Sequence, residues 1–174
     1  LDAIKAGKLS MDQELTATAT ALEGLSEDGS SAGIKVGETM TVRNLMYCML
    51  VVSANEACDI LGEAVAGSVS AFVDAMNAKA QELGCEDTHF ANPNGLHDPQ
   101  HYTSAWDMYL ITKAALEYPD FLTICDTGTY TVPATNLSPA RTLHTTNFLI
   151  DTWRSRGYRN KDAHGIKTGS TDAA

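Results

Sequence analysis

Between Val42 and Leu83 an apolar helical stripe occurs three times, each closed by a breaker. Val42, Leu45, Met46, Met49 and Leu50 fall at i, i+3, i+4, i+7 and i+8, one face of a helix that Thr41 can cap. A second stripe, Ala57, Ile60, Leu61, Ala64 and Val65, starts from Asn55 as a cap and ends at Gly67. Ser68 caps a third, with Val69, Phe72, Val73, Met76, Ala80 and Leu83, stopped by Gly84. Links this short force successive helices against one another, so the stretch must fold as a compact helical lobe. Its first break, Val51-Val52-Ser53-Ala54-Asn55, presents a hydroxyl and a carboxamide two residues apart on a tight connection.

The flanks are less regular. Leu1 to Ala6 reads as the tail of a helix closing at Gly7, and Thr-rich Glu14 to Leu22 as a strand or ribbon. Glu23 to Gly37, rich in Gly, Ser and acid, reads as an exposed loop. Thr88-His89-Phe90 is short and extended, and Asn92-Pro93-Asn94-Gly95 is a turn. Thr103 or Ser104 caps a further helix through Glu117, with Met108, Ile111, Thr112, Ala115 and Leu116 on one side. Pro119 suits the first turn of a short last helix ending near Cys125. Thr129 to Val132 alternates as a strand that Arg141 to Thr145 can pair with, and Asn147 to Arg159 fits helix or coil equally. Gly165-Ile166-Lys167-Thr168 reads as a strand. The expected class is α+β: part of one domain over residues 1–174, a helical lobe over about 41–125, and sheet remnants in 1–40 and 126–174. Both ends read as cut, because the first helix lacks a start signal and the last strand lacks neighbours.

Composition narrows the partners. With 22 acidic against 12 basic residues, the net charge of −10 repels a phosphate backbone, so nucleic acid is excluded as an expected partner. No apolar run approaches the roughly 18 residues of a membrane span. Cys48, Cys58, Cys85 and Cys125 form no C-x-x-C pair, and Cys48 and Cys58 lie on apolar stripes, so buried free thiols are expected. His97 and His101 have the i, i+4 spacing of a helical zinc grip, but Pro99 between them opposes a helix and no H-E-x-x-H is present. No metal or dissociable cofactor is therefore expected. Trp106 and Trp153 could stack on sugar, with core or half-exposed packing the simpler reading.

Ser53-x-Asn55 alone fits a cap and a turn, and Lys167-Thr168-Gly169 alone is a common tripeptide. In this order, one at a helix junction and the other on a strand, they match two of the three parts of the signature of penicillin-recognising serine enzymes. Phe90-Ala91-Asn92-Pro93-Asn94-Gly95-Leu96-His97-Asp98-Pro99 and Gly165-Ile166-Lys167-Thr168-Gly169-Ser170 extend the match. Nearly the whole chain resembles the serine D-alanyl-D-alanine carboxypeptidases, the low-molecular-weight penicillin-binding proteins. The first part, Ser-x-x-Lys, is absent: no Ser of the chain has Lys three residues later. In the family that part precedes the point where these residues begin.

The resemblance implies a β-lactamase and penicillin-binding-protein-like fold and acyl transfer from a wall pentapeptide ending in D-Ala-D-Ala, outside the cytoplasmic membrane, with β-lactams as inhibitors. It implies that Ser53 relays a proton, that Asn55 binds the substrate's peptide oxygen or the catalytic lysine, and that Lys167 supplies positive potential. Thr168 would bind the substrate carboxylate, Gly169 admit the backbone closely, and the Ser170 N–H donate to the oxyanion. The family often has an Asn-x-Asn stretch, and here Thr145-Thr146-Asn147 matches only at Asn147. A β-lactamase or transpeptidase of the same fold, and an inert wall-peptide binder, are the rivals. A C-terminal domain or membrane anchor is common in the family.

Overall fold

A computed structural model describes residues 1–25, 29–154 and 157–170. Its elements are α1 (Asp2–Lys5), β1 (Glu14–Thr16), β2 (Thr39–Thr41), α2 (Val42–Val51), α3 (Asn55–Ala66), α4 (Val69–Glu82), α5 (Ala105–Ala115), α6 (Pro119–Cys125), β3 (Thr129–Val132) and β4 (Arg141–His144). The fold is α+β, with two small antiparallel sheets, β1–β2 and β3–β4, flanking the helices.

Side-chain caps fix three helix starts. Thr41, Ser68 and Ser104 accept the N–H groups of Asn44, Ala71 and Asp107, respectively. Gly67 closes α3 at φ 84°, in the left-handed region that a side chain disfavours. The core forms where α2 meets α3, α6 and both sheets: Met40, Val42, Leu45, Cys48, Val51, Ala57, Ile124, Val132 and Leu143 are buried together. The rings of Tyr47 on α2 and Tyr130 on β3 stack at 3.6 Å, and the Tyr130 hydroxyl donates to Asn44 Oδ1 at 2.7 Å.

Several expectations are corrected. Glu14 to Leu22 is not one strand; only Glu14–Thr16 pairs, and its partner is Thr39–Thr41. Beyond Ala17 the hydroxyls of Thr18 and Thr20 donate to the Glu63 carboxylate at 2.8 and 2.7 Å, and the Ala21 N–H turns back onto Thr18 Oγ1. These local bonds displace a ladder. The loop Glu23 to Gly37 is not wholly exposed, since Ile34 is buried. Gly165–Thr168 forms no strand, because none of the strands of the described residues lies alongside to pair with it. Of the two alternatives for Asn147 to Arg159, residues 147–154 and 157–159 take coil, and 155–156 lie outside the described residues.

The buried faces also shift. On α3, Glu56, Asp59 and Gly62 face inward, while Ala64 and Val65 are exposed. Gly62 faces inward because the Phe72 ring of α4 lies where a Cβ would be. On α5 the one buried side chain is Asp107, which accepts the Asp87 N–H and the Thr88 hydroxyl at 2.8 and 2.7 Å, while Met108 and Leu116 are exposed. Trp106 and Trp153 are 66% and 64% exposed, not packed into a core. All four cysteines are free thiols.

Candidate active site

The site begins with backbone. After α2 ends, Ser53 takes φ 64°, the one left-handed non-glycine among the described residues. An L side chain pays about 1 kcal/mol or more for this conformation, and it recurs where a side chain must be aimed. The turn is clamped by the Ala54 N–H donating to Cys48 O at 3.1 Å and the Asn55 N–H donating to Ser30 O at 2.9 Å. Asn55 is therefore not the cap of α3. Ala54 holds that position without a side-chain bond, and Asn55 is the first helical residue, 7% exposed.

Glu56 fixes the same helix start from the other side. Its Oε1 accepts the Ser31 hydroxyl and the Ala32 N–H, both at 2.8 Å, and the Ile34 N–H at 3.3 Å. Segment 30–34 is thus tied to the first turn of α3. Leu22, Leu25, Ser30, Ser31, Ile34, Asn55 and Glu56 line a recess of about 200 Å³ there.

Lys167 arrives from the far end of the chain. Its Nζ donates to Ser53 Oγ at 2.6 Å and to Thr168 O at 2.6 Å. An ammonium only donates, so the Ser53 oxygen accepts and the Ser53 O–H proton stays available to another acceptor. Burial lowers the Lys167 pKa from the ordinary lysine value, a shift that only ionised Cys58 and Cys125 thiolates would oppose. The thiols are themselves pushed up by burial, to about 12 and about 11, and stay neutral. Lys167 is then a cation with a neutral hydroxyl for a partner and no carboxylate within ion-pair distance among the described residues.

Thr168 and Thr146 share a hydroxyl hydrogen bond of 2.5 Å, and the Thr146 N–H donates to Val51 O at 3.1 Å. Thr146 so bridges the end of α2 and the residue after Lys167. Asn147 Nδ2 donates to Gly165 O at 2.8 Å. Gly169 and Ser170 are exposed just beyond Lys167. The structure thus joins Ser53, Lys167 and Thr168 through direct contacts and sets Asn55 two residues from Ser53, while Lys167, Thr168, Gly169 and Ser170 are all exposed.

Thr146 and Glu56 were missed by sequence reasoning. Thr146 stood in the very stretch that matched the family pattern only at its last residue, so its position was readable although its contact was not. His101 serves loop structure: its Nδ1 accepts the Ala91 N–H at 3.2 Å, and burial lowers its pKa.

A model of the D-alanyl-D-alanine carboxypeptidase family matches residues 1–174, so the chain belongs to that family. D-alanyl-D-alanine carboxypeptidase DacF of Bacillus subtilis is 35% identical over 175 residues, covering 100% of this chain and 42% of DacF. The crystal structure of a D-alanyl-D-alanine carboxypeptidase from Mycobacterium tuberculosis superposes with a TM-score of 0.81 at 28% identity, over 99% of this chain and 61% of the other. Penicillin-binding protein D2 of Listeria monocytogenes, in its cefotaxime-bound form, gives 0.78 at 26% identity over 98% of this chain and 64% of the other. The chain spans less than half the length of DacF.

Proposed function

We propose that these residues form the helical side and one wall of the active site of a serine-type D-Ala-D-Ala carboxypeptidase. The observation that carries this reading is the 2.6 Å contact of Lys167 with Ser53, two residues far apart in sequence brought to one point beside Asn55. Membership of the carboxypeptidase family and the fold shared with a cefotaxime-bound protein support it.

The nucleophile is a serine of a Ser-x-x-Lys element that these 174 residues do not contain. Its oxygen attacks the carbonyl between the two terminal D-alanines of a wall peptide, and its proton passes to the accompanying lysine. Ser53, whose O–H proton is not consumed by Lys167, relays a proton to the leaving amine. The C–N bond breaks, D-alanine departs, and water hydrolyses the acyl-enzyme. Lys167 and Thr168 receive the substrate carboxylate, with the ammonium and the hydroxyl as its donors. Asn55 orients the peptide oxygen or the incoming lysine, Gly169 lets the substrate backbone close in, and the Ser170 N–H contributes half an oxyanion hole. The substrate places the reaction outside the cytoplasmic membrane, and β-lactams enter as acylating mimics of the peptide. None of the helices of the described residues is long and apolar enough to cross a membrane.

The test is release of D-alanine from a pentapeptide ending in D-Ala-D-Ala by the longer protein that carries the Ser-x-x-Lys element. The expected result is stoichiometric D-alanine and a tetrapeptide. Binding of the peptide without release would support an inert binder instead.

A further inference from the structure

The Lys167 segment has no ladder to hold it, so its placement depends on side chains that reach it from elsewhere. Asp126 follows directly on α6. Its Oδ1 accepts the Gly165 N–H at 2.5 Å, and its Oδ2 lies 2.9 Å from His164 Nδ1. From the opposite side Asn147 Nδ2 takes Gly165 O, so both polar groups of Gly165 are fixed. Gly165 also sits flush against α6: a Cβ there would lie 3.1 Å from Cys125 Cβ, and its φ of +38° disfavours any side chain. Two residues further on, Lys167 meets Ser53.

We propose that Asp126 is a positioning residue for Lys167. It makes no hydrogen bond or ion pair with Lys167 or Ser53, so it acts through the backbone of 164–166. A carboxylate suits the task because its two oxygens serve donors on two consecutive residues, fixing both the position and the direction of the chain. Losing Asp126 frees that backbone to drift, and a drift of an ångström at Lys167 is enough to break a 2.6 Å contact. The role rests on the acyl-transfer reading of the site.

The experiment uses the longer protein carrying Ser-x-x-Lys and measures its acylation rate with a fluorescent penicillin. Asp126→Ala is expected to slow acylation by about tenfold or more, while Asp126→Asn, which keeps an acceptor for Gly165, stays within about threefold of the parent. In a Lys167→Ala background the Asp126→Ala change is expected to add no further loss, since its effect passes through Lys167. Acylation of Asp126→Ala at the parental rate, or losses that multiply in the double variant, would overturn the proposal. Amide hydrogen exchange reads the docking independently of activity: the Gly165 N–H is expected to be protected in the parent and to lose protection in Asp126→Ala. Unchanged exchange overturns the positioning role even if the parent proves inert, and an inert parent with altered exchange overturns only the acyl-transfer reading.

Discussion

Asp59 sits inside the fold one turn beyond Asn55, where Asn94 Nδ2 donates to its two oxygens at 3.1 and 3.4 Å. Burial raises its pKa to about 6, the Asn94 bond works against that rise, and the charge of Glu56 adds to it. A carboxylate raised in the folded state reverses the usual sign. Between its ordinary 3.8 and about 6 the folded protein holds the proton that the unfolded chain has released, so stability falls as pH rises through this window and is lowest above it. Asp59→Asn keeps an acceptor for Asn94 and removes the charge. It is expected to melt higher than the parent at about pH 7.5, with the gap closing near pH 4; thermal melts at the two pH values decide, and equal melting at both would contradict the assignment. Ser53 gives a second prediction at this scale. Ser53→Gly relieves a left-handed backbone and is expected to be more stable than Ser53→Ala by about 1 kcal/mol in urea unfolding. In the longer protein both should lose the relay, with acylation down by about 10²-fold.

At the scale of elements, α3 and α4 meet through a glycine. A Cβ on Gly62 would lie 2.6 Å from Phe72 Cδ1, so Gly62→Ala must push the helices apart or turn the ring. Overpacking of this kind costs about 1–3 kcal/mol, readable as a lower urea midpoint. The hairpin β3–β4 is locked to the β1–β2 side by Arg141, which pairs with the buried Glu38 and donates to Ala32 O at 2.7 Å. Glu38 is buried, yet its pKa is lowered: burial raises it, and the Thr135 hydroxyl, the Lys35 N–H and Arg141 outweigh that. Its stabilisation is therefore present above the ordinary glutamate pKa and is lost as pH falls. Arg141→Met leaves that carboxylate short of its cation and is expected to cost about 3–5 kcal/mol near neutral pH, less in acid. The elements themselves were legible where periodicity and a side-chain cap agree, at α2 and α4, and from alternation at β3–β4; α3 was legible from its stripe alone, since Asn55 is not its cap. What periodicity could not reveal is a buried carboxylate. Glu56, Asp59 and Asp107 look like surface residues until their donors, which sit in distant loops, are placed beside them. The strand expected at Lys167 failed for a related reason, because pairing depends on neighbours that local sequence does not contain.

For the whole molecule, the meeting of Ser53 and Lys167 was legible only as a matched pair of short patterns in a given order; neither tripeptide carried it alone. The core built by α2, α3, α6 and the hairpins holds the two ends of that pair in place, and Thr146 and Asn147 carry the tie across to the Lys167 segment. On the proposed reading, the resulting wall receives a serine and is not itself a nucleophile. Covalent labelling with a fluorescent penicillin tests this most directly, applied side by side to the 174-residue chain and to the longer protein with its Ser-x-x-Lys element. The longer protein should carry one label per molecule and the 174-residue chain none. A stoichiometric covalent label on the shorter chain would mean that one of its own serines is the nucleophile, and would contradict the assignment of Ser53 and Lys167 to a supporting wall.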